Sequence, residues 1–273
     1  MSKFVRASKV RHLFCQPDKK EETFFGLDLA TTTGDHNYIK ANSKFFATAT
    51  RAGGGGAMVV VPVKNVGKFN NKQPKITGHT GAIFDCDFNP FHDQLLATGS
   101  DDCSCKIWGI PSEDGLTENL TDPLVDLNSH MKKVTFTQFH PCANNVLATG
   151  SADHTVKLWD IDAGEEKQTL QCIDNLQDMQ WSYTGDRIAV SCKDKSMRIF
   201  DPRTEEAVQT CKPHEGSKCF KTCWLGQSNN IATVGFTRQS KRQFMIWDSR
   251  DLSKAIHTES LDQSAGVIMP FYD

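Results

Sequence analysis

The sequence predicts an all-β fold, and three observations support this prediction. Most of the chain reads as short alternating stretches rich in β-branched and aromatic residues, separated by turn signals. No long helical period competes with them. In addition, an Asp precedes an aromatic residue by six positions three times, at Asp102/Trp108, Asp153/Trp159 and Asp194/Phe200. A pattern that returns every 41 to 51 residues indicates a structural repeat rather than a single active site.

The predicted strands fall into five consecutive groups. The first group is a hairpin of residues 44–50 and 57–63 around a glycine-rich turn. The second comprises 82–88, 94–100, 103–109 and 123–129, and the third 134–140, 145–151, 155–160 and 167–172. The fourth comprises 178–182, 187–192, 196–201 and 207–211, and the fifth 221–225, 230–236, 243–248 and 255–260. One further strand is predicted at 266–272.

Four strands per repeat, with Gly-His before the first strand and an aromatic-Asp pair closing the third, are typical of a β-propeller blade of the WD-repeat type. The predicted fold class is therefore a WD-repeat β-propeller, with about five blades and one further strand in this chain. We expect two regions: a basic segment of residues 1–23, containing a strand that closes the ring, and a partial propeller of residues 24–273.

The segment GSADHTVKLWD contains Ser151, Asp153 and His154, the residue types of a hydrolase triad. Because the pattern repeats, we favour a hydrogen-bonded tetrad inside each blade over a catalytic triad. The predicted tetrad members are His79, Asp102 and Trp108 in one repeat and His130, Asp153 and Trp159 in the next. The hydroxyl member is Thr98 or Ser100 in the first and Thr149 or Ser151 in the second. We expect His154 to face solvent.

Composition narrows the function classes. The net charge is −2, with 31 basic and 33 acidic residues, which does not favour a dedicated nucleic-acid-binding protein. The ten cysteines include no zinc-type pair of CxxC motifs, so we expect reduced thiols and no metal or cofactor. No apolar run is long enough to span a membrane. The turn Gly53–Gly56 lacks the Lys and Ser/Thr of a phosphate-binding loop and is interpreted as a hairpin turn.

The first twenty residues carry six basic side chains and one acidic side chain, a charge of 6 − 1 = +5. Such a segment is a solvated arm or a ring-closing strand with its charges outward, and in either case it can also dock electrostatically on an acidic partner. Smaller basic groups, at Lys132-Lys133 and at Arg238, Lys241 and Arg242, are interpreted as solvated turns.

Several stretches resemble the coronins, a family of WD-repeat proteins that bind actin. They are SKFVRASKVRHLF, AGGGGAMVVVP, CKDKSMRIFDPRT, PHEG, GFTRQSKRQFMIWDSRDL and LDQSAGVIMPFYD, spread over nearly the whole chain. The resemblance implies a seven-bladed propeller without enzymatic activity that binds filamentous actin at the cell cortex in the cytoplasm. It also implies the actin-related-protein branching complex and cofilin as partners. Oligomerisation in this family needs a C-terminal coiled coil, which we do not find here, and we therefore expect a C-terminally truncated chain.

The resemblance implies that basic surface near the first blade contacts the actin filament. The candidate actin-binding residues are Lys3, Arg6, Lys9, Arg11, Arg51, Lys64 and Lys68. The alternatives are a WD-repeat adaptor for protein complexes without affinity for actin, and a hydrolase that uses Ser151, Asp153 and His154.

Overall fold

The computed structural model describes residues 16, 18–30, 35–51 and 55–272. The predicted ring-closing strand and the candidates Lys3, Arg6, Lys9 and Arg11 lie outside these residues. The described chain forms two compact units, of which Asp18–Gln171 is one and the residues from Cys172 onward make up the other.

The unit Asp18–Gln171 contains three of the predicted blades. Blade 1 is an antiparallel sheet of β2 (Ile39–Ala41), β3 (Phe45–Thr50) and β4 (Ala57–Pro62). Blade 2 consists of β6 (Ile83–Phe88), β7 (Leu95–Ser100), β8 (Cys105–Gly109) and β9 (Val125–Leu127). Blade 3 consists of β10 (Val134–Phe139), β11 (Val146–Ser151), β12 (Thr155–Asp160) and β13 (Glu165–Gln171). A 3-10 turn, Lys20–Glu22, precedes a parallel pair of β1 (Phe24–Phe25) and β5 (Gly67–Lys68).

The second unit contains two blades. Blade 4 consists of β14 (Leu176–Trp181), β15 (Ile188–Cys192), β16 (Met197–Asp201) and β17 (Glu206–Cys211). Blade 5 consists of β18 (Lys221–Trp224), β19 (Asn230–Phe236), β20 (Arg242–Asp248) and β21 (His257–Asp262). In both units, strands that are consecutive in the chain are antiparallel neighbours within a blade. Short turns are enough to connect antiparallel neighbours.

The second strand of each blade is buried on both faces, and in blades 2 to 5 the fourth strand is the most exposed. All five residues of β15 are buried, whereas none of β17 is. Both faces of such a strand are covered by protein, so its residues must be apolar or internally hydrogen-bonded. The sequence accordingly places small, apolar and hydroxyl-bearing residues there, as in LLATGS and VLATGS.

Buried aspartates join the first strands of successive blades. Asp85 accepts a hydrogen bond from the Thr137 amide at 3.0 Å, and Asp178 accepts one from the Thr222 amide at 2.7 Å. Each carboxylate occupies the third position of its strand and receives an N–H from the first strand of the next blade. These bonds fix the spacing between neighbouring blades.

Two predicted elements differ from the structure. The segment 266–272 was expected to be a strand, but its described residues have no regular secondary structure and expose Phe271 and Tyr272. In blade 5, Arg242 was interpreted as part of a solvated turn, but it pairs with Phe236 and begins β20. The turn between the predicted strands 230–236 and 243–248 is therefore one residue shorter than predicted and comprises residues 237–241.

Candidate functional site

A directional hydrogen-bond chain runs through blade 2. The Trp108 indole N–H donates to Thr98 Oγ1 at 2.8 Å, and Thr98 Oγ1 lies 2.8 Å from His79 Nε2. His79 Nδ1 lies 2.9 Å from Asp102 Oδ2. These contacts are all satisfied if the neutral imidazole carries its proton on Nδ1 and accepts the threonine hydroxyl at Nε2. The chain therefore runs from Trp to Thr to His to Asp.

Blade 3 repeats the same geometry. Trp159 donates to Thr149 Oγ1 at 2.7 Å, Thr149 Oγ1 lies 2.7 Å from His130 Nε2, and His130 Nδ1 lies 2.9 Å from Asp153 Oδ2. The hydroxyl members are thus Thr98 and Thr149. The two serines make different hydrogen bonds. Ser151 Oγ donates to the Lys132 carbonyl, and Ser100 Oγ accepts a hydrogen bond from the Asp102 amide.

The carboxylate of Asp153 is occupied by four donors. Besides His130 it accepts the Met131 amide, the Thr155 amide and the Thr155 hydroxyl. Burial alone would raise the pKa of Asp153, but these hydrogen bonds lower it to about 2. Burial lowers the pKa of His130, so the imidazole is held neutral. The same carboxylate therefore does not orient His154.

His154 lies in the hairpin turn after Asp153, with a φ of 70°. Cys103 and Lys195 hold the same position in blades 2 and 4, with φ values of 68° and 67°. Each of the three follows the turn aspartate directly. What they share is the left-handed backbone of the turn, and their side chains have no chemical function in common. The arrangement of Ser151, Asp153 and His154 belongs to the blade scaffold. The sequence predicted that Cys103 and Cys105 lie on one strand. Cys103 instead lies in the turn, and the strand begins at Cys105.

Blade 5 contains a variant of the network that sequence reasoning missed. Trp247 donates to Thr233 Oγ1 at 3.1 Å, and Thr233 Oγ1 lies 3.0 Å from His214 Nε2. Gln243 Oε1, 3.2 Å from His214 Nδ1, takes the place of the aspartate. Burial lowers the pKa of His214 to about 4. The spacing between hydroxyl and Trp is longer here because the hairpin is extended, and the six-residue spacing rule therefore does not find it.

The described candidates for partner binding lie on the first unit. Arg51 Nε is 3.6 Å from Asp28, and Lys64 Nζ is 2.6 Å from Asp114. Both pairs are exposed, so each cation has a carboxylate beside it. Lys68 is exposed and has no ion pair among the described residues. It stands opposite Phe25 in the parallel pair β1–β5.

Lys20 belongs to the basic opening segment but was not among the predicted candidates, and it joins this surface. Its ammonium lies 5.3 Å from the centroid of the Phe25 ring. The partly exposed ring of Phe25 therefore has the Lys20 ammonium beside it and Lys68 as its partner in the strand pair. Residues 64–75 add Lys72 and Lys75 and contain no acidic residue. We call Lys20, Phe25, Lys68 and Lys72 the basic patch.

Among the described residues, no three His, Cys, Asp or Glu side chains are grouped so that they could hold a metal ion. None of the helices in the described part of the chain is long and apolar enough to cross a membrane.

Two protein-family models match parts of this chain. A family model described as a domain of unknown function, DUF1899, matches residues 3–68, which contain most of the basic patch. The model for the WD domain, G-beta repeat, matches residues 70–109, 121–160 and 164–201.

Relatives with similar sequences carry one family name. The chain is 41% identical to a coronin-like protein of Saccharomyces cerevisiae, over 99% of this chain and 43% of that protein. It is 39% identical to a coronin-like protein of Schizosaccharomyces pombe and 34% identical to human coronin-2A, over 46% and 52% of those proteins. The chain therefore spans about half the length of these relatives.

A solved structure matches as well. The crystal structure of the WD40 domain of Toxoplasma gondii coronin superimposes with a TM-score of 0.87 at 31% identity, over 90% of this chain and 64% of that one. The all-β WD-repeat propeller fold predicted from the sequence is thus confirmed. Taken together with the blade networks, these similarities show that the chain belongs to the coronin family.

Proposed function

We propose that this chain is a non-catalytic binding module that attaches to actin filaments through the basic patch. The observation that carries the proposal is the partly exposed ring of Phe25, with the Lys20 ammonium 5.3 Å from its centroid and the exposed Lys68 as its partner in the strand pair β1–β5. Actin filaments are acidic polymers, and an exposed cationic surface both steers and orients encounter with such a partner.

The basic patch fits this role better than Arg51 or Lys64. The carboxylates of Asp28 and Asp114 neutralise the charges of these two residues locally. A partly exposed aromatic ring next to these lysines adds apolar contact area to the electrostatic attraction, a combination common at protein interfaces. Membership of the coronin family supports the same assignment.

The test is co-sedimentation of the folded chain with filamentous actin. The double variant Lys20→Gln/Lys68→Gln should bind roughly tenfold more weakly, because two rim charges contribute about 0.7 kcal/mol each. The matched control is Lys167→Gln/Lys254→Gln, which removes the same charge from two other exposed lysines. Binding of the parent should also weaken steeply with salt, since exposed charges are screened.

Two outcomes would contradict the proposal. Equal weakening of both double variants would mean that net charge, and not the basic patch, governs binding. A folded parent that remains in the supernatant at low salt would favour the alternative of a WD-repeat adaptor without affinity for actin. Pull-down with the actin-related-protein branching complex and with cofilin then tests the two further partners that the family resemblance implies.

A further inference from the structure

The two aspartate junctions between first strands are built differently, although each centres on a buried carboxyl group. At the junction of β14 and β18, Asp178 Oδ2 accepts hydrogen bonds from the amide and the hydroxyl of Thr222, at 2.7 and 2.9 Å. The ammonium of Lys221 lies 3.9 Å from the other carboxyl oxygen, Oδ1. Both oxygens of Asp178 therefore have donors or a cation beside them, as a buried carboxylate requires.

The junction of β6 and β10 has fewer of these groups. Asp85 Oδ2 accepts the amide of Thr137 at 3.0 Å. Asp85 Oδ1 and the Thr137 hydroxyl are both buried without a hydrogen-bond partner among the described residues. Phe136 holds the position in β10 that Lys221 holds in β18, directly before the threonine. An apolar ring therefore replaces the ammonium, and one carboxyl oxygen is left unpaired.

The charged and titratable groups around Asp85 come from three strands. Lys40 of β2 brings a positive charge, but its ammonium bonds to Asp87 of β6 at 3.4 Å. The negative charge of Asp87 disfavours ionisation of Asp85. Burial raises the pKa of the Cys86 thiol on β6 and that of the Cys105 thiol on β8, the latter to about 12, so both stay neutral near pH 7. The flanking strands β7 and β10 carry no titratable residue.

Burial dominates the ionisation of Asp85. It raises the pKa of this carboxyl from its ordinary value of 3.8 to about 7, against the opposing effects of the Lys40 charge and the Thr137 amide. Burial raises the pKa of Asp178 as well, but there an ammonium and the two donors of one threonine oppose it. An unpaired oxygen favours the protonated form of Asp85, because a neutral carboxyl needs fewer donors than a carboxylate.

We propose that the Asp85 junction is a pH-sensitive joint between blades 2 and 3. Below neutral pH, Asp85 is a neutral carboxylic acid, and its hydrogen bond from the Thr137 amide holds β6 and β10 together. Above neutral pH, Asp85 releases its proton to solvent, and one hydrogen bond does not compensate the buried anion. The joint then opens more often, while the Asp178 junction keeps partners for both carboxyl oxygens. The inference does not depend on actin binding.

The direction of the pH dependence is opposite to that of the buried imidazole of His214. The folded pKa of Asp85 is raised, so the folded chain binds more protons than the unfolded chain. The contribution of Asp85 to stability is complete below about pH 4 and is lost as the pH rises through the folded pKa near 7. Burial lowers the pKa of His214, so its contribution is lost as the pH falls.

The first test compares the parent chain with Asp85→Asn, whose amide is neutral at every pH. Denaturant titrations give the folding equilibrium constant of each protein between about pH 4 and pH 8. The constant of the parent relative to the variant should fall on the order of a hundredfold over this range, because each pH unit between the unfolded and folded pKa values lowers it up to about tenfold. A ratio that stays constant, or that rises with pH, would overturn the proposal.

Hydrogen exchange at single amides measures the joint itself. The ratio of Thr137 amide exchange rates in the parent and in Asp85→Asn cancels the intrinsic pH dependence of exchange. This ratio should rise between about pH 6 and pH 8, since opening becomes more frequent as the carboxyl ionises. The same ratio for the Thr222 amide should stay constant. Equal rises at both amides would mean that the chain opens only as a whole, and would overturn a local joint.

Direct titration of the carboxyl tests the proposal even if Asp85→Asn fails to fold. The carbon-13 NMR shift of the Asp85 carboxyl in the parent should titrate with a midpoint between about pH 6 and pH 8, and a midpoint below about pH 5 would overturn the proposal. Lys40→Met should move the midpoint upward, because the Lys40 charge favours the carboxylate. Lys64→Met is the matched control, since this exposed lysine pairs with Asp114 instead. Equal midpoints in the two lysine variants would overturn the role of Lys40.

Discussion

The hydroxyl of Thr149 connects an indole to an imidazole, and the imidazole connects it to a carboxylate. Each group in this chain uses a donor or acceptor that would otherwise be buried without a partner. Such a network stabilises the blade only while all of its members are satisfied. The network fixes the position of the hairpin turn relative to the first strand.

At this scale the sharpest prediction concerns Asp153. Asp153→Asn should lower the free energy of unfolding by about 2–3 kcal/mol, because an amide cannot accept all four hydrogen bonds and turns an NH₂ group towards donors. Urea denaturation of parent and variant measures the loss. An unchanged midpoint would contradict the assignment of Asp153 to the network.

The control is the neighbouring His154, whose φ of 70° suits glycine. His154→Gly should raise the free energy of unfolding by about 0.5 kcal/mol, since relief of the left-handed strain slightly exceeds the entropic cost of glycine. A loss as large as that of Asp153→Asn would show that the imidazole of His154 takes part in the network.

At the scale of elements, the aspartates on the first strands hold neighbouring blades together. Asp178 accepts hydrogen bonds from both the amide and the hydroxyl of Thr222, and Lys221 lies 3.9 Å away. A carboxylate held by several donors keeps β14 and β18 in a fixed register. Asp85 joins β6 to β10 through the hydrogen bond from the Thr137 amide, and its other carboxyl oxygen is buried without a partner among the described residues.

A graded pair of variants tests this connection. Asp178→Asn should destabilise the chain by about 2–3 kcal/mol, and Thr222→Val, which removes only the hydroxyl, by about 1 kcal/mol. Hydrogen exchange of the Thr222 amide should accelerate in the aspartate variant. Equal losses for the two variants would mean that the backbone hydrogen bond contributes nothing.

At the scale of the whole molecule, stability should depend on pH through buried imidazoles. The folded pKa of His214 is about 4, because burial disfavours the charged form. The unfolded chain binds this proton near pH 6.5, so the contribution of His214 to stability is present above pH 6.5 and is lost as the pH falls through the folded pKa.

The comparison of the parent with His214→Gln isolates this effect. The stability of the parent relative to the variant should fall by about 3 kcal/mol between pH 7 and pH 4. Denaturant titrations at several pH values measure the difference, and NMR titration of the imidazole gives its folded pKa directly. A difference that does not vary with pH would contradict the burial of a neutral His214.

The sequence by itself determined the repeat, the strand order within each blade and the aspartates and tryptophans of the two regular networks. These features depend on local spacing, since turn chemistry and side-chain alternation act over a few residues. The tertiary structure decided which hydroxyl joins each network, because Thr98 and Ser100 are both buried on one strand face and only Thr98 lies within hydrogen-bond distance of the imidazole and the indole. It also decided that Gln243 takes the place of an aspartate beside His214, and that Phe25 pairs with Lys68 across β1 and β5. Each of these contacts joins residues that lie far apart in the chain, and their meeting depends on how the strands pack.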